Sequence, residues 1–166
     1  LVRTKVAADS DYEGPETFTL TATNTGTIGA TGTGTIVDDG TGTKFEYASN
    51  NTATPDAQPP ASALDDDRPL AVNSITVNEA SPYATFAITG VAGQYVTLAL
   101  GSTGSGTGFA TLGTDTTNAG TGVPLQYFND SSWVDYTPGS AVQIPAGGST
   151  LQVRTAIKPD PDYEGP

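Results

Sequence analysis

Apolar and polar positions alternate with a period of two along much of this chain. Between residues 16 and 24 the string ETFTLTATN sets Phe18, Leu20 and Ala22 on one side and Thr17, Thr19, Thr21 and Thr23 on the other. That is the pattern of a strand with one face buried. Residues 30–37 (ATGTGTIV) make another strand, closed by Asp38-Asp39-Gly40. Strand patterns recur at 71–78, 83–90, 94–100, 123–128, 132–136, 141–144 and 150–157, and a further strand is expected over residues 1–6. Gly and Pro turns separate them, and no stretch sustains a 3.6-residue apolar period. The chain is therefore expected to be all-β, and short strands at this spacing predict an antiparallel β-sandwich. Trp133, Phe128, Tyr127, Phe86, Tyr95 and Phe18 are expected to pack in its core or between its sheets.

The two ends of the chain repeat one another. Residues 2–15 read VRTKVAADSDYEGP and residues 153–166 read VRTAIKPDPDYEGP, identical at nine of fourteen positions and offset by 151 (153 − 2). Neither VRT nor DYEGP is a low-complexity string, so the chain reads as slightly more than one period of a tandem array. Between the strand-rich parts, residues 41–70 change character. They are rich in Pro, Ala, Asn and Ser, are stiffened by Pro59-Pro60, and read as a linker. Phe45 and Tyr47 inside it are candidates for a short strand or an aromatic contact.

Composition narrows the chemistry. Eighteen acidic residues against six basic ones give a net charge of −12. Nucleic acid is excluded as a partner for want of basic clusters, and an anionic membrane surface is disfavoured for the same reason. No apolar run is long enough to cross a bilayer. The chain has no His and no Cys, so thiol catalysis, His-based triads, disulfides and ordinary zinc, haem or iron–sulfur sites are ruled out. Carboxylate oxygens are the strong ligands that remain, and they suit hard cations such as Ca2+. The chain begins directly in a strand pattern, with no basic-then-apolar leader. It is expected to be a window of a longer polypeptide.

The acids gather at strand ends. Asp9, Asp11, Glu13 and Glu16 lie in one turn, Asp160, Asp162 and Glu164 repeat it, and Asp38-Asp39 close a strand. Asp65, Asp66 and Asp67 precede the next strand, Glu79 closes the strand at 71–78, and Asp115 sits in the turn LGTDT. Like charges this close repel unless solvent, protons or a cation relieve them. In extended chain the i, i+2 spacing of DSDYE turns Asp9, Asp11 and Glu13 to one side.

The strings AVQIPAGGSTLQVRTAIKPDPDYEGP, ETFTLTATNT and TGTGTIVDD, read in that order, resemble the Calx-β domain. That domain occurs in sodium–calcium exchangers, integrin β4 and very large bacterial surface proteins. VNEASPYATFAITG with the turn GTDT most resembles the repeats of giant bacterial adhesins of the RTX type. The resemblance covers most of residues 71–166 with 1–40, and leaves 41–70 outside. It implies an immunoglobulin-like sandwich with calcium at one end. By position it implies ligands at Glu79, at Asp115, at Asp160, Asp162 and Glu164 or equally at Asp9, Asp11, Glu13 and Glu16, and at the closing pair Asp38 and Asp39. Gly40 stands where the fuller family pattern has a third closing acid. Asp65–Asp67 have no counterpart, and are either ligands between neighbouring domains or solvated.

On this resemblance the strand order is permuted. Residues 1–40 are the closing strands of one repeat, 41–70 a linker, and 71–166 the opening strands of the next. Two completions follow: residues 16–40 fold back onto 71–166, or neighbouring copies complete one another by strand donation. The expected function is a non-catalytic calcium-binding spacer or filament-building unit of a large extracellular bacterial protein acting in adhesion. Its partners are copies of the same repeat and a host or surface ligand. A second reading is a calcium-dependent module that binds carbohydrate or a host-surface ligand, using Tyr127, Phe128 and Trp133 near Asp130 and Asp135. A third, a two-carboxylate glycosidase, finds no cleft or nucleophile in the sequence. Asn50 and Asn129 fit the N-x-S/T acceptor pattern, which arises readily by chance in an Asn/Thr-rich chain.

Overall fold

In the structure, a computed structural model, residues 2–45, 61–101, 110 and 125–158 are described. Expectations that fall on Tyr47, Asn50, Asp115, Asp160, Asp162 and Glu164 lie outside them. The chain divides into two compact units, Leu1–Pro69 and Leu70–Pro166. Among the described residues the secondary structure is antiparallel β, apart from one 3₁₀ turn at Ala61–Ala63.

The first unit holds a hairpin of β1 (Glu16–Thr23) and β2 (Gly29–Ile36). Its Thr-rich strands suit pleated backbone, and Asn24 makes the turn: its Oδ1 accepts the N–H groups of Gly26 at 2.9 Å and Ile28 at 3.0 Å. The strand expected over residues 1–6 is not formed by residues 2–6, and residues 2–9 are exposed and lie in no strand. Phe18, expected in the core, is 41% exposed and lies across the backbone of Gly34.

Among the described residues the second unit has seven strands: β3 (Ala71–Val72), β4 (Tyr83–Thr89), β5 (Tyr95–Thr97), β6 (Gln126–Phe128), β7 (Trp133–Asp135), β8 (Ala141–Gln143) and β9 (Thr150–Ala156). Five form a sheet in the order β3-β4-β9-β6-β7, and β5 pairs with β8 in a smaller sheet. The register sets Ala84, Phe86 and Ile88 opposite Thr155, Val153 and Leu151, so alternate residues of β4 and β9 share one face. Ile88, Leu151 and Val153 from that face bury against Val96 of β5 and Val142 of β8, with Leu125, Tyr136 and Ile144 completing the core. The arrangement is sandwich-like. Gly90 is required beside it, because a Cβ there would come within 2.6 Å of both Gln94 Oε1 and Ile144 Cδ1.

Two core residues went unremarked in the pattern. Tyr136 is buried, its hydroxyl donating to the Ser140 carbonyl at 2.8 Å and accepting the Leu98 N–H at 2.9 Å. Gln94 is buried too, with its Oε1 accepting the Val91 N–H at 3.0 Å.

On the outer face, directly opposed residues Gln126, Arg154 and Asp135 form a hydrogen-bonded row. The Arg154 guanidinium stacks 3.8 Å from the Tyr83 ring centre and 4.1 Å from that of Trp133. Tyr127, by contrast, packs against the core.

Candidate metal centre

The first unit gathers acids from three stretches of chain. The turn before β1 brings Asp9, Asp11, Glu13 and Glu16, and the exit of β2 brings Asp38 and Asp39. Backbone hydrogen bonds then tie that exit to Asp65–Asp67: Gly40 N–H donates to the Asp65 carbonyl at 2.8 Å, and Asp67 N–H to the Asp38 carbonyl at 2.9 Å. Gly40 makes this close approach possible. Its φ is +75°, in the left-handed region, and a Cβ would meet Asp66 Oδ2 at 2.8 Å.

Not all these carboxylates are equivalent. Asp66 is spent on Arg68, which grips it through Nε at 2.7 Å and a second guanidinium nitrogen at 2.6 Å. That bidentate hydrogen bond raises the Arg68 pKa further, with attraction to Asp66 adding to it. Asp39 accepts hydrogen bonds from the Thr41 hydroxyl and N–H. The hydroxyl bond is the main reason its carboxyl is held below the ordinary value, against a burial penalty and with help from Arg68.

The remaining acids crowd one another. Repulsion from Glu16, then from Asp9, raises Glu13 above its ordinary value, with lesser contributions from burial, Asp11 and Asp38. Asp67 is raised as well, by burial first and then by Asp65, Asp38, Asp9 and Asp66. Asp38 stands between the two groups. Its Oδ2 accepts the Glu13 N–H at 3.0 Å, whereas its Oδ1 is buried with no hydrogen-bond partner. A buried carboxylate oxygen left unpaired is costly, and Asp38 also repels the carboxylates of Glu13 and Asp67.

Among the described residues no three carboxylates converge closely enough to hold a metal ion as they stand. The donors on offer are carboxylate oxygens, one of them buried and unpartnered, and oxygen donors of this kind suit a hard cation of the calcium type. Of the residues expected as ligands, Asp9, Asp11, Glu13, Glu16, Asp38 and Asp39 share this neighbourhood, with Asp39 already hydrogen-bonded internally. Glu79 belongs to the second unit, in the turn before β4. Asp65 and Asp67 join the first unit's cluster, an assignment the sequence left open; the adjacent Arg68, the sole cation of that acidic run, is the signal that the segment is folded back and pinned.

The aromatic cluster is arranged differently from a ligand platform. Phe128 and Trp133 form a tilted pair 5.5 Å apart, but Trp133 presents a ring face to Arg154 and Tyr127 turns inward. Asn129 is engaged in its own turn, its Oδ1 accepting from the N–H groups of Ser131 and Ser132. Compared with family models, curated proteins and solved structures, the chain matches none.

Proposed function

We propose that this chain is a non-catalytic, calcium-stiffened repeat of a large extracellular bacterial protein, a spacer or filament-building unit of the Calx-β type that acts in adhesion. The observation that carries the reading is Asp38: a buried, unpaired carboxylate oxygen set where three acidic stretches meet. Calcium bound among Asp9, Glu13, Asp38 and Asp67 would relieve their repulsion and tie the ends of β1 and β2 to the segment that leads into the next unit. Unfolded chain holds such an ion poorly, so its binding energy becomes folding stability. Millimolar calcium outside cells fills sites with a Kd as weak as roughly 10⁻⁴–10⁻³ M. The Thr-rich outer face of the hairpin and the −12 charge keep a crowded array soluble.

The carbohydrate-binding alternative has less to support it, since Arg154 occupies the Trp133 ring face and Tyr127 belongs to the core.

Thermal unfolding in millimolar calcium, in magnesium and in chelator tests the proposal. Calcium at about 100 times its Kd adds about 2.7 kcal/mol, read as a rise in midpoint that magnesium does not reproduce. Asp38→Asn abolishes most of that rise. An identical midpoint in all three conditions sinks the calcium reading.

A further inference from the structure

Among the described residues two apolar surfaces are exposed. The first is one face of the hairpin. The β1–β2 register sets Phe18, Leu20 and Ala22 beside Gly34, Gly32 and Ala30, and on the other face Thr17, Thr19 and Thr21 beside Thr35, Thr33 and Thr31. Among the described residues β1 and β2 pair only with each other, and Leu20 is 52% exposed. A lone two-stranded hairpin is marginally stable in water. The second surface is on the five-stranded sheet. Val72 of β3 lies directly opposite Ile88 and so on the same, core-facing side, yet Ile88 is 7% exposed and Val72 61%. The two-stranded layer of β5 and β8 packs on the β4 and β9 part of that face, and the edge strand β3 lies exposed, as does Leu70 just before it.

The internal duplication says which surface belongs with which. In sequence, VRT at 153–155 inside β9 is followed by DYEGP at 162–166, while VRT at 2–4 is followed by DYEGP at 11–15 and then by the hairpin. A hairpin of the β1–β2 kind is therefore the element that follows β9 in a complete repeat. We infer that the apolar face of the Glu16–Ile36 hairpin docks on the open β3 flank of the 70–158 sheet of a second copy of this chain, joining copies head to tail. The inference rests on the repeat reading proposed above.

The duplication also selects a second copy over the same chain. The VRT that precedes the hairpin, residues 2–4, is the counterpart of residues 153–155 in β9, so the hairpin completes the repeat to which residues 2–4 belong, and not the one that opens at β3. Docking onto a second copy keeps the bonds between Asp38–Gly40 and Asp65–Asp67 and places the acidic cluster beside the junction between copies. Each chain then carries one donor face and one acceptor face, a heterologous contact that does not close on itself.

The test is the mass of the full chain in solution by light scattering after size exclusion, in calcium and in chelator. The expected result is a mean mass that climbs past twice the 16.8 kDa chain mass as concentration rises. Leu20→Asp and Val72→Asp each return the chain to single mass, and Thr19→Asp on the opposite hairpin face does not. Mixing the Leu20→Asp and Val72→Asp chains restores dimers and nothing longer, because one variant keeps the acceptor and the other the donor. Single-chain mass at every concentration overturns the inference, as does association that survives Leu20→Asp. So does a monomer whose unfolding midpoint falls on Leu20→Asp, which would mean closure within one chain. A calcium-dependent midpoint that persists in the monomeric variants keeps the calcium reading alive if docking fails, and docking without that dependence does the reverse.

Discussion

The tripeptide Val-Arg-Thr occurs twice in this chain and has two fates. At residues 153–155 it is a central strand: Val153 is 4% exposed, Thr155 is buried, and Arg154 lies between two aromatic rings. At residues 2–4 it is exposed chain, with Val2 74% exposed. Local propensity is the same in both places. The difference is what stands alongside, since β4 and β6 flank the second copy and the first pairs with no strand among the described residues. Strand formation is a property of neighbours before it is a property of sequence, and the first copy shows what remains when the neighbours are missing. The same holds for the hairpin, whose alternation is as regular as that of β4 and whose apolar face lies open.

The largest test of this contrast is a charge placed at the matched position in each copy. Val153→Asp buries an uncompensated carboxylate between β4 and β6, and is expected to cost at least about 3 kcal/mol in denaturant unfolding. Val2→Asp, at an exposed site, is expected to stay within about 0.5 kcal/mol of the parent. A comparable loss at Val2 breaks the contrast, because it would mean that the first copy packs as a strand in solution.

A smaller contrast separates the tyrosines of the two units. Tyr136 uses its hydroxyl twice, and removing it leaves the Leu98 N–H unpaired in a partly buried setting. Tyr136→Phe is expected to cost about 1–3 kcal/mol. Tyr12, 47% exposed in the acidic turn, is expected to tolerate the same change within about 0.5 kcal/mol. Equal effects would show that the first unit is as tightly ordered around its turn as the second is around its core.

What the sequence disclosed divides along the same line. Strands that pair within this chain were legible from period-two alternation: β1, β2, β4 and β9 begin and end within a residue or so of the pattern. The segment 71–78 was not, because only Ala71 and Val72 find a partner in β4. Phe18 read as core because alternation reports which face is apolar, not whether anything covers it. Clustering of the acids at strand ends was visible in spacing alone. The pin of Asp38–Gly40 to Asp65–Asp67 was not, because it joins residues about 27 positions apart through backbone groups, which carry no sequence signature. Tyr136 and Gln94 escaped for a related reason: a buried polar group is recognisable only once its partners are in place.

The smallest expected effect is on pH, and it opposes the two units once more. Glu13 and Asp67 are raised in the folded first unit, so as pH falls from neutrality they take up protons before the unfolded chain does, and repulsion in the cluster is relieved. Mild acidification in chelator is therefore expected to stabilise the first unit. Asp39 runs the other way: its carboxyl is lowered, so its contribution is complete above the ordinary carboxylate value and is lost only as pH falls through the folded one. The expected profile in chelator is a gain of protection on going down into the upper carboxylate range, then a loss below it. With calcium bound the gain disappears, because protons now displace the ion that was doing the neutralising. Hydrogen exchange at the Gly40 and Asp67 amides, corrected for intrinsic rates, reads the pin directly, and β9 core amides such as Leu151 serve as the reference. Pin protection that ignores both pH and calcium would mean that solvent already screens these carboxylates, and the acidic turn would then be ordinary surface.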